Sequence, residues 1–372
     1  MEPIRFDAAV LRAALAPLSI ERVEARALGP DDVLVRMRAA GLCHTDLEVI
    51  EGQLVFPLPM VLGHEGAGVV ERVGPAVRGL APGDHVIIHW NPHCGHCFYC
   101  DRDKPILCET YVANGAKAVG FDGAPVLRDG GGATLHNLMY IGAFGEYCVV
   151  PSQSAVRVAK EIPFEAACLI GCGVMTGLGA ATRIAGLEWG STVMVIGCGA
   201  VGLSAVQGAR LAGAARIIAV DISEAKLDLA RRVGATDLVD ATRDDPVAVA
   251  KALTSGRGAD AVIECAGSPK TFRASVEAVR PAGQVVWLGK TGFNEEVSFR
   301  WGALMQEKRI TRSSYGGTRP ARDFPMMVDS YLRGDLKLDE LVSRRIRLDE
   351  INEGFAALKR GEVVRAVVAY GP

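Results

Sequence analysis

Long hydrophobic runs are missing from this chain. No stretch reaches the roughly 18 uninterrupted apolar residues of a membrane-spanning helix, so no membrane partner is expected. The opening residues, MEPIRFDAAVLRAALAPL, lack the basic start and small-residue cleavage site of a secretory leader. A charge excess is also missing: 41 Lys and Arg against 43 Asp and Glu leave a net charge of −2, which argues against a nucleic-acid partner and its basic face. Aromatic residues are only 6% of the chain although hydrophobic residues are 49%, so the core must be largely aliphatic. These absences point to a soluble, cytoplasmic protein whose partner is a small molecule.

Cysteine, by contrast, is plentiful. Ten cysteines in a chain expected to be cytoplasmic read as thiols or metal ligands rather than disulfides. Four of them, Cys94, Cys97, Cys100 and Cys108, occupy the run CGHCFYCDRDKPILC. Three thiols at intervals of three, with a fourth after a short lobe, fit a tetrahedral zinc site with no vacancy, which stabilises a loop and performs no chemistry.

At 372 residues the chain exceeds the size at which one core stops growing, so two domains are expected. Residues 18 to 90 read as short β-branched strands broken by glycine, and residues 113 to 135 as a long Gly-rich surface loop. From 164 the pattern changes. PFEAACLIGCGVMTGLGAATRIAG has helical spacing and is followed by the apolar runs STVMVIG, ARIIAVD, DAVIECAG and QVVWLGK, each separated from the next by a helix-length segment. That alternation signals a buried parallel sheet. After about 317 the text is mixed again, with a helix expected at INEGFAALKRG and a last strand at RAVVAY. The fold class is α/β: a β-rich domain of residues 1–173 and 318–372, interrupted by a doubly wound nucleotide-binding domain of residues 174–317.

Within the interrupting domain, Gly197, Gly199 and Gly202 form a G-x-G-x-x-G, with Val201 inside it, between an expected strand and an expected helix. The first glycine permits the turn, the second lets backbone approach a pyrophosphate, and the third allows close helix packing. Asp221 ends the next strand about 20 residues on, where a carboxylate receives the ribose hydroxyls and repels a 2′-phosphate. NAD is therefore the expected cofactor, and Lys226 is placed to reach the same ribose. Three further glycine-marked turns, GLCHTD, GHEGAG and IGCGVMTG, hold Cys43, His64 and Cys172. These offer one nitrogen and two sulfurs with a fourth position open, as in a catalytic zinc site. Remote in sequence, the three residues are equally compatible with packed core positions.

In order and spacing, GLCHTD, GHEGAGVVERVG, CGHCFYC, IGCGVMTG, VIGCGAVG and AVD resemble the zinc-dependent alcohol dehydrogenases of the medium-chain dehydrogenase/reductase superfamily, over essentially the whole chain. Its length and the 113 to 140 segment are closer to the animal-type classes, which include glutathione-dependent formaldehyde dehydrogenase. The resemblance implies a GroES-like catalytic domain with an inserted Rossmann domain, and two Zn²⁺ per chain, the catalytic one on Cys43, His64 and Cys172. It further implies that Asp46 orients a ligand histidine, that Glu65 assists ligand exchange, that Thr45 accepts the alcohol proton, and that His44 and Arg365 contact the cofactor pyrophosphate. Residues matching the substrate pocket are Val55, Phe56, Trp90, Leu138 and Met139, all apolar, which suits a neutral primary alcohol.

Two departures from the family pattern stand out. Glu48 occupies the place of a histidine that ends the proton relay in several members. The stretch GQLVFPLPM carries no acid and Val112 replaces an arginine, whereas the members that oxidise a glutathione adduct use both to hold the tripeptide. The alternatives are a thiol-adduct dehydrogenase, a nicotinoprotein that retains its NAD, and a non-catalytic relative, which would be marked by lost zinc ligands. A homodimer is expected, possibly paired into a tetramer, with Val285, Val286, Trp287 and Leu288 in the contact region of residues 285 to 317.

Overall fold

The computed structural model describes residues 3–371. The chain divides into two compact units: one of Met1–Cys172, Arg319–Gly334 and Val342–Pro372, and one of Gly173–Thr318 and Asp335–Leu341.

In the first unit, strands Ile4–Leu11, Ser19–Ala25, Leu127–Asp129, Thr134–Asn137 and Met60–Val61 close into a barrel. A second sheet runs in the order Ala155–Arg157, His85–Ile88, Glu65–Val73, Asp32–Gly41, Arg365–Ala369 and Val342–Ile346, and Tyr147–Pro151 also pairs with Asp32–Gly41. The central strand shows the period of two in its burial: Val33, Val35 and Met37 enter one core cluster, while Leu34 joins Phe6, Val10 and Val61 in another. Its end is aligned with two other strands, since Gly41 pairs with both Glu65 and Val367. Three segments distant in sequence are thereby brought to one end of one sheet.

The segment 113–135 differs from the expected loop. It contains the end of a helix, Glu109–Gly115, and most of a hairpin, Leu127–Asp129 with Thr134–Asn137, which completes the barrel. Strands this short display no periodicity. Asp129 fixes their turn instead, its Oδ1 accepting from Gly131 N at 3.0 Å and Ala133 N at 2.9 Å.

The second unit is built on six parallel strands in the order Asp237–Asp240, Arg216–Asp221, Thr192–Ile196, Ala259–Glu264, Val279–Trp287 and Arg309–Arg312. Numbered along the chain this is 3-2-1-4-5-6, the doubly wound order of dinucleotide-binding domains. Met194, Ile218, Val239, Val262 and Val285 fill its core. Val285 and Val286 are fully buried inside their own chain, and Trp287 packs between Phe272 and Phe299. Their hydrophobicity thus serves this unit's own core. Helix Phe164–Ile184 is long and apolar enough to cross a membrane, but 72% of its most apolar window is buried within the fold.

His89 shows how polar groups are accommodated in the first unit. It is 1% exposed, its Nε2–H donates to Gln153 O at 2.6 Å, and its Nδ1 accepts from Asn91 N at 3.3 Å. Both nitrogens are satisfied only in the neutral ring, because a second proton would set a donor against a donor. Burial accordingly pushes its pKa from 6.5 down to about 3, against the opposing Gln153 bond. Unfolding releases this restraint, so the unfolded chain takes up a proton that the folded chain refuses. This contribution to stability is intact above pH 6.5 and falls by about 1.4 kcal/mol per unit as pH drops below it. His89→Gln should be less stable at neutral pH but show a shallower loss between pH 6.5 and 5, by close to one proton, in denaturant titrations across that range.

Candidate functional site

Four donors, from Cys43, His64, Glu65 and Cys172, lie within 4.8 Å of one another in the first unit. Local structure explains their convergence. Cys43 caps helix His44–Ile50, Glu65 opens the strand paired with Gly41, and Cys172 lies in a π-helical turn, Ile170–Val174, of the kind that often marks functional positions. Gly41 has no side chain because the space is taken: a Cβ there would stand 2.4 Å from Glu65 Oε2.

Asp46 organises the cluster. It is 0% exposed, and its Oδ2 accepts from Cys43 N at 3.2 Å while Oδ1 accepts from Gly63 N at 3.0 Å. Oδ1 also lies 3.1 Å from His64 Nδ1. With Nδ1–H given to Asp46, the His64 lone pair is on Nε2, which is buried without a hydrogen-bond partner in the protein. Arg365, 4% exposed, spans Glu65 at 3.1 Å (Nη2) and 3.3 Å (Nε), with Nη2 also 3.7 Å from Cys43 Sγ.

The electrostatics favour a cation. Hydrogen bonding from Cys172 holds the Cys43 thiol well below its usual range despite burial, and Arg365 adds to the effect, while the Cys172 thiol is held above its range. Burial opposes a charge on His64, but Asp46 and Cys43 outweigh it and raise its pKa. Burial lifts Glu65 to about 7 against the pull of Arg365. Two sulfurs and an orphaned imidazole nitrogen make a donor set suited to zinc, with a carboxylate close by.

The second cluster is Cys94, Cys97, Cys100 and Cys108, again within 4.8 Å of one another. Backbone N–H groups point at the sulfurs, Cys94 N to Cys108 Sγ at 3.3 Å and Glu109 N to Cys97 Sγ at 3.5 Å, as thiolate ligands require. In the second unit the glycine fingerprint forms the expected turn. A Cβ at Gly202 would meet Gly197 O at 1.7 Å, whereas Gly199 has open space beside it at the start of helix Ala200–Leu211. Asp221 closes the turn, its Oδ2 accepting from Cys198 N at 2.6 Å, and Lys226 lies half-buried on the following helix. An open backbone cradle at a helix N-terminus with a carboxylate beside it fits NAD.

Comparison with known proteins agrees. Residues 29–160 match the alcohol dehydrogenase GroES-like domain and residues 200–333 the zinc-binding dehydrogenase domain. S-(hydroxymethyl)glutathione dehydrogenase of Saccharomyces cerevisiae is 38% identical over 99% of this chain and 97% of its own. Alcohol dehydrogenase class-3 of Myxine glutinosa is 39% identical over 98% of each. Among solved structures, an alcohol dehydrogenase zinc-binding domain protein from Burkholderia ambifaria superposes with a TM-score of 0.96 at 37% identity, covering all of both chains. Benzyl alcohol dehydrogenase of Acinetobacter calcoaceticus gives 0.93 at 31%, covering 99% of this chain and 100% of its own. The chain belongs to the zinc-dependent alcohol dehydrogenases. It is an oxidoreductase that takes NAD and two zinc ions per chain and interconverts an alcohol and its carbonyl compound.

The remaining expected residues of this dehydrogenase are spread unevenly. His44 is exposed, while Thr45 and Glu48 are half-buried on the helix that begins after Cys43. Trp90, Phe56 and Met139 are partly buried against the first unit's core. Leu138 is 0% exposed inside that core, and Val55 is 84% exposed on the surface. Tyr111 was not anticipated. Its ring lies 6.0 Å from Trp90, and its hydroxyl is raised above the usual range by burial and by the charge of Cys172. The only sequence signal was an aromatic three residues after the last cysteine of the lobe.

The two metal clusters should separate by mutation. Cys172→Ser should retain the fold and one zinc ion per chain while losing turnover, because the Cys94–Cys108 cluster is untouched. Metal analysis beside steady-state assays checks this, and unimpaired turnover would contradict the site.

Proposed function

We propose that the enzyme oxidises neutral, apolar primary alcohols with NAD, and that a glutathione adduct is not its substrate. The observation that carries this reading is the loss of the groups that would hold the tripeptide. The stretch of residues 52–60 is GQLVFPLPM, without an acid, and Val112 is a 57% exposed apolar residue on helix Glu109–Gly115. The curated relatives named for the glutathione adduct share 38% of their residues with this chain, leaving room for such a change. The aromatic pair Trp90 and Tyr111 and the likeness to a benzyl alcohol dehydrogenase favour an unbranched, ring-bearing alcohol.

The roles of the residues follow from their positions. When bound, zinc supplies a Lewis acid that lowers the pKa of the alcohol hydroxyl, and NAD supplies the hydride acceptor. Cys43, His64 and Cys172 hold the metal, and Asp46 fixes the His64 tautomer. Glu65, paired with Arg365, is a carboxylate in reserve for ligand exchange. Thr45 takes the alcohol proton on its hydroxyl, and Glu48, one turn further along the same helix, or solvent receives it next. Gly197, Gly199, Gly202 and Val201 cradle the cofactor, Asp221 and Lys226 take its ribose, and His44 and Arg365 are assigned to its pyrophosphate on the family resemblance. The ten free cysteines suit a cytoplasmic setting.

We also infer a homodimer. Strand Arg309–Arg312 is the edge of the second unit's sheet, and Phe293, Trp301 and Met305 nearby in sequence are 101%, 79% and 53% exposed. With Val285 and Val286 committed to their own core, the contact is drawn to residues 293–312. Light scattering should give twice the 39.4 kDa chain mass, and Trp301→Lys should shift it toward monomer.

The substrate reading is tested by kcat/KM over primary, secondary, aromatic and thiol-adduct substrates. Primary alcohols should exceed their branched isomers by about tenfold or more. Formaldehyde oxidation should not respond to glutathione. A large, saturable stimulation by glutathione would overturn the reading.

A further inference from the structure

The second unit contains a buried carboxylate that the account above does not use. Glu264 is the last residue of the fourth strand, is 0% exposed, and pairs with Ile196, the residue before the glycine fingerprint. It therefore stands at the point where the strand order 3-2-1-4-5-6 reverses, at the carboxyl ends of the strands, where such sheets receive dinucleotides. A charged residue there costs free energy unless its hydrogen bonds compensate.

Those bonds tie two loops together. Glu264 Oε1 accepts from Ala266 N at 2.9 Å and from Gly267 N at 2.8 Å, in the loop after the fourth strand. Its backbone oxygen accepts from Leu288 N at 2.8 Å and Gly289 N at 3.0 Å, in the loop after the fifth. The loops lie backbone to backbone. A Cβ at Gly267 would stand 2.2 Å from Lys290 O, and one at Gly289 would stand 2.4 Å from both Glu264 Oε2 and Gly267 N. Oε1 makes both of the carboxyl's backbone bonds, while Oε2 is buried beside Gly289.

We propose that Glu264 is a positioning residue for the nicotinamide half of the cofactor. The fingerprint and Asp221 belong to the first three strands, which hold the adenosine half and the pyrophosphate. The loops fastened by Glu264 belong to the second three, the mononucleotide half that receives the nicotinamide riboside. The carboxyl braces the loop after the fourth strand through Oε1 and stands with Oε2 against Gly289 of the loop after the fifth, and only backbone-sized residues fit between them.

The test separates the two halves of the ligand. Binding of NADH and of ADP-ribose, which lacks the nicotinamide, is measured by titration calorimetry on the zinc-loaded enzyme and on Glu264→Ala and Glu264→Gln. Glu264→Ala should weaken NADH at least about tenfold and ADP-ribose by no more than about twofold. Glu264→Gln keeps an oxygen for Ala266 N and Gly267 N and should bind NADH within about threefold of the parent. If Glu264→Ala does not fold, Glu264→Asp, one methylene too short, carries the same expectation. Equal losses of both ligands, an unchanged NADH affinity in the shortened variants, or a Gln variant as weak as the shortened one would overturn the proposal.

Discussion

The crowding of three acidic groups into one place is the constraint around which the first unit is arranged. Cys43, Cys172 and Glu65 offer acidic groups within one small space, the first and last of them buried and Cys172 partly so, where like charges are poorly screened. One guanidinium, Arg365, is buried against them, and one imidazole turns an unpartnered nitrogen toward them. A divalent cation completes the balance. Much of the surrounding structure serves to keep these groups from escaping. Gly41 leaves room for Glu65, Asp46 locks His64 and the backbone at Cys43, and three paired strands bring residues 41, 65 and 365 to one sheet end.

The second unit solves a different problem with backbone rather than charge. Its ligand is an anion, so it presents N–H groups and empty space: an open Gly199 at the head of a helix, with Gly202 pressed against Gly197 to hold the turn. Asp221 is an acceptor within that turn, its two oxygens taking Cys198 N and Ile222 N. Here, as around Asp46, one buried or half-buried acid fixes the backbone of a glycine-marked turn.

What could be read from sequence was what is local. The Cys94 to Cys108 lobe and the glycine fingerprint are complete within short stretches, so spacing alone specifies their geometry. The parallel sheet was equally visible, because buried strands of five or six apolar residues recur at helix-length intervals. The hairpin of residues 127–137 was not, since three- and four-residue strands carry no period. The catalytic ligands were legible only through family resemblance, as no spacing rule joins residues 43, 64 and 172. Tyr111 beside Trp90 could not be read for a related reason: which side chains come together across the fold depends on long-range pairing that composition does not encode.

The central claim is that Cys43, His64 and Cys172 hold a catalytic zinc separate from the one held by the cysteine lobe. Anomalous diffraction from crystals of the zinc-loaded enzyme, collected on both sides of the zinc edge, addresses it directly. The account predicts two peaks per chain, one bonded to four sulfurs at about 2.3 Å and one to two sulfurs and His64 Nε2 at about 2.0–2.3 Å. A single peak at the cysteine lobe, or a second zinc bound elsewhere than at Cys43, His64 and Cys172, would contradict it.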